Sequence, residues 1–309
     1  MTKTTFSTLS SDGIHMLKGL VYLPKGEPIG IFHIVHGMTE HIGRYDKLMN
    51  DLALSGYICC GYDNLGHGNT ANGDAELGYI AKQNGHELLA RDVKLFADAV
   101  MTEFVSENQK LPYYLMGHSM GSFITRLAVV KYIRPDKYII MGTGGKNPAT
   151  GAGLAVIALI KYIYGDHHIS PLVDSLAFGS YNKRFGGGTA DDPLPWLTRD
   201  KAHREKYYAD KFCTFKFTVS AMGDLIRLTK ITNHDSWYKA VSKTLPILLL
   251  SGEEDPVGEY GKGVRQVAKN LQKLGCNVYY KLYQDARHEI LNDSTYEQVK
   301  NDILSFLQV

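Results

Sequence analysis

The sequence predicts an α/β protein: a mostly parallel sheet with helices on both faces, interrupted by a mainly helical insert. Three observations carry this prediction. From about residue 45, strand-like and helix-like runs alternate, which is the pattern of a parallel sheet covered on both sides. The alternation stops after Met141 and resumes with the apolar run 245–250. Before that break, an apolar β-type run at 113–116 passes into a helix-like run at 122–133 through Gly117-His118-Ser119-Met120-Gly121.

In chain order, residues 4–9, 14–22 and 29–35 read as strands, with Pro24, Gly26 and Pro28 punctuating the last turn. Residues 45–55 carry Leu48, Leu52 and Leu54 at helical spacing, and Gly56 stops them. Residues 57–62 read as a short buried strand. Residues 87–105 repeat apolar side chains (Leu89, Val93, Phe96, Val100) along one helix face. A strand follows at 138–141. Beyond the insert come a strand at 245–250, a helix at 264–274, a strand at 278–283 and a final helix at 295–307. The expected organisation is a core domain of residues 1–142 and 236–309 with an inserted cap, or lid, domain of residues 143–235.

Composition narrows the function. With 309 residues, 44% of them hydrophobic and 21% charged, the chain can bury one large core and carry an insert. A net charge of +2 and tyrosines scattered without a basic stripe exclude a nucleic-acid binder. Cys59, Cys60, Cys213 and Cys276 lack zinc-site spacing and read as buried free thiols of a reducing compartment. The N-terminus has no apolar h-region, and the longest apolar stretch, 154–160, is too short to span a bilayer. A cytoplasmic protein is expected, with no metal and no cofactor.

The pentapeptide Gly117 to Gly121 carries the chemistry. A serine nucleophile needs a hydroxyl that stands clear of the backbone beside oxyanion-stabilising donors, and a sharp strand-to-helix turn with small neighbours supplies both. The competing reading is a Gly-Ser turn with Ser119 as a helix N-cap. A serine hydroxyl also needs a base, itself oriented by an acid, and on this topology the expected order is Ser, Asp or Glu, then His. Asp255 follows the strand at 245–250, and His288 follows the strand at 278–283. Glu253 and Glu254 compete with Asp255, which is favoured by its short side chain and by Pro256 behind it. His36, His41, His67 and His118 lie too early in the chain to be the base, and His118 is expected to bond locally. His167 and His168 are a weak metal candidate. The oxyanion donors expected are the amides of Met120 and of Met38, the latter in the loop His36-Gly37-Met38-Thr39-Glu40-His41. The glycine-rich turn Gly66-His67-Gly68 is read as loop architecture beside the site.

Taken together, these segments resemble a known family. The 36–41 loop with Arg44-Tyr45, the Gly66-His67-Gly68 turn, the Gly-His-Ser-Met-Gly elbow, Asp255-Pro256-Val257 and the run from Arg287 to Asn292 are similar to the motifs of monoacylglycerol lipases and bacterial lysophospholipases. Those proteins form part of the serine-aminopeptidase-like branch of the α/β-hydrolase fold. The resemblance implies an eight-stranded sheet, a helical cap and ester hydrolysis without a cofactor. It carries Ser119, Asp255 and His288 over as a triad and Met38 and Met120 as oxyanion donors. Many relatives have arginine where this chain has Leu65, a difference that touches loop contacts rather than catalysis.

The insert chooses the substrate. Residues 151–165 form an amphipathic pattern that either packs on the core or serves as a lid helix. Phe178, Tyr181, Phe185, Trp196, Phe212, Phe215 and Phe217 give the insert an apolar lining suited to an acyl or other apolar ester. The expected activity is hydrolysis of monoacylglycerol- or lysophospholipid-type esters through an acyl-enzyme, with transient membrane contact through the cap. The rivals are a short-chain carboxylesterase, a thioesterase, an aminopeptidase that would use Asp191, Asp192 or Asp224 to bind an amine, and a catalytically silent receptor.

Overall fold

Where a strand is covered on both faces it cannot alternate polar with apolar residues, and the burial of this sheet follows that rule. In the computed structural model, which describes residues 1–308, β1 (Thr2–Leu9) and β2 (Met16–Leu23) keep many positions exposed, whereas β3 (Gly30–Val35), β4 (Tyr57–Tyr62) and β5 (Tyr113–His118) are buried throughout. The sheet is completed by β6 (Lys137–Met141), β7 (Ile247–Gly252) and β8 (Val278–Tyr283). Its eight strands run in the order β1-β2-β4-β3-β5-β6-β7-β8. β1 and β2, and β2 and β4, pair antiparallel; every other pairing is parallel. This is the eight-stranded α/β-hydrolase sheet.

Helices cover both faces. On one side α1 (Asp46–Leu54) and the C-terminal α10 (Tyr296–Gln308) bury Leu48, Leu52, Val299 and Ile303. On the other, α2 (Gly85–Phe104), α3 (Met120–Lys131) and α9 (Lys262–Lys273) bury Val93, Phe96, Ile124, Leu127 and Val267. Most boundaries shift by one or two residues from the sequence reading, and two of these shifts have a local cause. The helix after the elbow begins at Met120, not residue 122, so the turn is tighter than the apolar pattern showed. β7 begins at Ile247 rather than residue 245, since Pro246 has no N–H to give a sheet ladder.

Between β6 and β7 the chain forms five helices and, among the described residues, no strand: α4 (Thr150–Tyr164), α5 (Pro171–Phe178), α6 (Lys201–Ala209), α7 (Val219–Thr232) and α8 (Asp235–Ala240). Side-chain caps start four of them. Ser170, Asp200, Thr218 and His234 accept from the amides of Val173, His203, Ala221 and Ser236, which would otherwise lack partners. α4 packs inward through Ile157, but Leu159, Tyr162, Ile163 and Tyr164 are exposed, as are Leu172 and Leu176 on α5. α4 thus packs on α7, with Ile157 against Gly223, and shows an apolar face outward.

The insert leaves and rejoins the body beside one buried cation. Arg126 of α3 donates to Thr143 Oγ1 at 3.2 Å, Gly144 O at 3.3 Å, Asn233 Oδ1 at 3.1 Å and Thr232 O. Its guanidinium lies 4.3 Å from the Trp237 ring centroid, and the Trp237 indole N–H donates back to Arg126 O. No described helix is long and apolar enough to cross a membrane.

Candidate active site

The elbow owes its shape to packing. A Cβ on Gly117 would sit 2.3 Å from Gly121 O, and one on Gly121 would sit 2.1 Å from Val35 O, so only glycine fits at either place. Ser119 between them adopts φ +53°, a conformation that costs a non-glycine residue of order 1–3 kcal/mol. Its amide donates to Met141 O at 3.0 Å, and its own carbonyl accepts from Ser122. Although Ser119 occupies the N-cap position of α3, its side chain makes no capping bond. The hydroxyl is therefore not consumed by the turn.

Asp255 and His288 meet at the same edge of the sheet. His288 Nδ1 lies 2.9 Å from Asp255 Oδ2, and both residues are buried. Ser251 Oγ donates to the same carboxylate at 3.1 Å, and the Val257 amide donates to its other oxygen at 2.8 Å. Burial alone would raise the carboxyl pKa; the His288 charge and these hydrogen bonds overcome it and hold Asp255 below the usual carboxylate value. Glu253 is exposed and Glu254 faces Arg287 at 3.5 Å, so neither competes for the imidazole. Ser119 stands close by: its neighbour Met141 precedes Gly142, where a Cβ would lie 3.1 Å from His288 Cε1. No hydrogen bond joins Ser119 Oγ to His288 in this structure.

The loop after β3 lies against the elbow. A Cβ on Gly37 would come within 3.0 Å of Ser119 Cβ. The Gly37 amide donates to Glu40 Oε1, whereas the Met38 amide beside it makes no hydrogen bond among the described residues. Met120, in the first turn of α3, is among the helix amides that have no intrahelical partner.

Beneath the elbow lies a buried charge cluster whose function the sequence reading left unassigned. Glu40 accepts from Tyr45 at 2.9 Å and from Arg44 at 2.9 Å, and Arg44 also grips Glu289 through two bonds at 2.6 and 2.8 Å. His118 Nδ1 lies 2.9 Å from Tyr45 Oη and 3.3 Å from Glu40 Oε1, and its Nε2 faces His288 O at 3.4 Å. With Tyr45 donating to Glu40, both ring nitrogens of His118 face acceptors. That favours the imidazolium. Burial opposes the charge on His118, but the Glu40 hydrogen bond raises its pKa above the ordinary value; Glu40, likewise penalised by burial, is pulled low by His118 and Arg44. His118 thus bonds locally, as expected. In the sequence its members stand in separate motifs: the 36–41 loop with Arg44-Tyr45, the elbow, and the run from Arg287 to Asn292. A cavity of about 440 Å³ opens beside it, lined by Glu40, Arg44, Tyr45, His118, Tyr207 and Glu289, and neither Ser119 nor His288 lines it.

His36 and His67 are structural. Burial lowers His36 to about 4, its Nε2 accepts from the Asn64 amide at 2.9 Å, and the His67 ring packs on it at 5.2 Å. His167 and His168 stack on Tyr79 and Tyr164, at 3.8 and 4.8 Å. Three potential metal ligands, His41, Asp210 and Cys213, lie within 4.8 Å of one another, and a 2.9 Å His41–Asp210 hydrogen bond satisfies two of them. The aspartates considered for amine binding are not gathered: Asp192 is tied to Arg204 at 2.7 and 2.8 Å, and Asp224 is buried against His86 at 2.9 Å. Of the insert's aromatics, Trp196 reaches the site, 5.1 Å from the His288 ring; Tyr181 meets Trp196 edge-on at 5.0 Å, and Phe178 meets Tyr181 edge-on at 5.7 Å. Phe215 and Phe217 instead pack on His67, both at 5.3 Å.

The chain matches a family model described as serine aminopeptidase, S33, over residues 26–295. It is 24% identical over 299 residues to a monoacylglycerol lipase of Mycolicibacterium smegmatis, covering 93% of this chain and 91% of that one. It is 23% identical to the monoglyceride lipase of Mus musculus, covering 91% of this chain and 82% of the mouse protein. Among solved structures, a highly thermostable carboxyl esterase from Bacillus coagulans, in complex with glycerol, superposes with a TM-score of 0.91 at 27% identity, covering 100% of this chain and 98% of that one. A soluble variant of the Saccharomyces cerevisiae monoglyceride lipase shares the fold, with a TM-score of 0.78 at 19% identity over 99% of this chain and 95% of that one.

Proposed function

The chain belongs to the serine aminopeptidase (S33) family, as an α/β-hydrolase of monoacylglycerol-lipase type and a lipase/esterase-type ester hydrolase; on that premise we propose that Ser119, His288 and Asp255 hydrolyse an acyl ester through an acyl-enzyme. The observation that carries this reading is the buried Asp255–His288 pair at 2.9 Å, at the same sheet edge as a serine in a strained turn. Ser119 Oγ attacks the ester carbonyl as His288 Nε2 takes its proton. Asp255 holds the imidazole with Nδ1–H inward and stabilises its charged form. The Met38 and Met120 amides donate to the tetrahedral oxyanion. The ester bond breaks as His288 returns the proton to the leaving alcohol. Water, deprotonated by His288, then releases the acid and restores Ser119.

The substrate class proposed is a monoacylglycerol- or lysophospholipid-type ester. The apolar path from Trp196 through Tyr181 to Phe178 beside His288 supports an acyl chain there. The outward apolar face of α4 and α5 supports transient contact with a lipid surface. The second reading, a short-chain carboxylesterase, is favoured by the likeness to the Bacillus coagulans carboxyl esterase.

Two measurements test this. Ser119→Ala is expected to lose about four orders of magnitude or more in turnover while keeping its far-UV circular dichroism; near-wild-type esterase activity in a folded variant overturns the mechanism. Hydrolysis across acetyl to palmitoyl esters, monoacylglycerol and lysophospholipid is expected to peak at the long chains. A maximum at acetyl or butyryl replaces the lipase reading with the esterase one.

A further inference from the structure

Thr39 is the residue after the oxyanion-loop amide of Met38, and it holds φ +49°. A β-branched side chain resists that conformation, so the loop relaxes unless something outside it pins the backbone. One pin comes from the body: Glu40 accepts the Gly37 amide on one side of Met38. The other comes from the insert. Tyr207, on α6, places its hydroxyl 2.8 Å from Thr39 O and 2.8 Å from Thr39 Oγ1. A carbonyl can only accept, so the single phenolic proton goes to Thr39 O and the Thr39 hydroxyl donates back to Tyr207. The two bonds close a ring around the strained residue.

Tyr207 is itself fixed. Its ring is buried, with the Arg44 guanidinium 4.8 Å from the centroid. α6 is capped by Asp200 and tied to the insert through Arg204, which donates to Thr198 O at 2.6 Å and to Asp192. One turn on, Asp210 holds His41 at 2.9 Å. The insert therefore grips the loop on both sides of Glu40.

We propose that Tyr207 is a positioning residue for the oxyanion hole: through Thr39 it sets the direction of the Met38 amide, so the inserted helices complete the catalytic machinery as well as covering the substrate. This rests on the assignment of Met38 as an oxyanion donor. It predicts a loss in the transition state rather than in substrate binding.

The test is Tyr207→Phe, which keeps the buried ring and its stacking on Arg44 and removes only the hydroxyl. The expected result is a fall in kcat of between about 10- and 100-fold, less than loss of a whole oxyanion donor, with KM within about twofold of wild type. Binding of a trifluoromethyl ketone, which forms a hemiketal oxyanion on Ser119, is expected to weaken by the same factor as kcat, while fatty-acid product binding stays unchanged. Adding Thr39→Gly, which removes the φ strain, is expected to restore most of the lost kcat. An unchanged kcat, a change confined to KM, or a lowered melting temperature with no rescue by Thr39→Gly overturns the proposal. A Ser119→Ala control separates the two levels: if that variant stays active, the serine mechanism itself falls, whereas an inert Ser119→Ala with a fully active Tyr207→Phe removes only the clamp.

Discussion

At the scale of single residues, the site depends on which polar atoms have been committed elsewhere. Asp255 spends both oxygens on His288, Ser251 and the Val257 amide, so it is an acceptor throughout and keeps the imidazole in one tautomer. Asp255→Asn puts a donor where His288 Nδ1–H needs an acceptor. A drop in kcat of about 10³- to 10⁴-fold is expected with the fold retained, measured with a soluble ester, while Glu254→Gln stays near wild type. The meeting of Asp255 and His288 at the sheet edge that carries Ser119 was legible because each residue follows an apolar run. Tyr207 was illegible for the opposite reason: nothing in a tyrosine on a polar helix far along the chain shows that it meets Thr39. The buried Glu40–His118–Arg44–Glu289 cluster was legible as letters in motifs but not as a network, since pairing across the chain is set by the sheet and not by local spacing.

Elements carry their own electrostatic signatures. The turn between β1 and β2 is fastened to α2 by Asp92, whose carboxylate accepts from Ser10 Oγ at 2.8 Å and the Ser11 amide at 2.7 Å. Burial pushes its pKa up to about 6, more than those hydrogen bonds can offset. The sign follows from proton counting: between the unfolded value near ~4 and the folded value the native state holds the extra proton, so stability falls as pH rises through this window. Asp92→Asn removes the dependence. The unfolding free energy of the wild type relative to this variant is expected to drop by roughly 2–3 kcal/mol between pH 4 and pH 7, read from urea denaturation at each pH. Strands and helices of the body were legible to within a few residues because burial on one or both faces dictates their period. The insert was less so: α4 is apolar on its exposed side too, and a helix that is apolar all round hides which face packs.

For the molecule as a whole, the join between the body and the insert is concentrated at Arg126. Among the described residues its charge has no carboxylate partner; carbonyl and side-chain oxygens from both necks and the face of Trp237 surround it instead. Burial lowers its pKa, yet a guanidinium stays charged. Arg126→Met is expected to cost roughly 2–4 kcal/mol in global stability, by chemical denaturation, because those oxygens lose their donors. Limited proteolysis of the variant is expected to cut first between residues 143 and 235.

That arrangement also bears on how such a protein can change. Thr143 and Gly144 on the way out, and Thr232 and Asn233 on the way back, converge on one guanidinium, so the two ends of the loop excursion lie side by side on the body. A segment whose ends meet can be lengthened, shortened or exchanged without moving β6 or β7, since the loop-closure cost grows only slowly with length. The body becomes a socket and the four helices from α4 to α7 a cassette, tradeable wholesale so long as a replacement brings its own hydroxyl to Thr39.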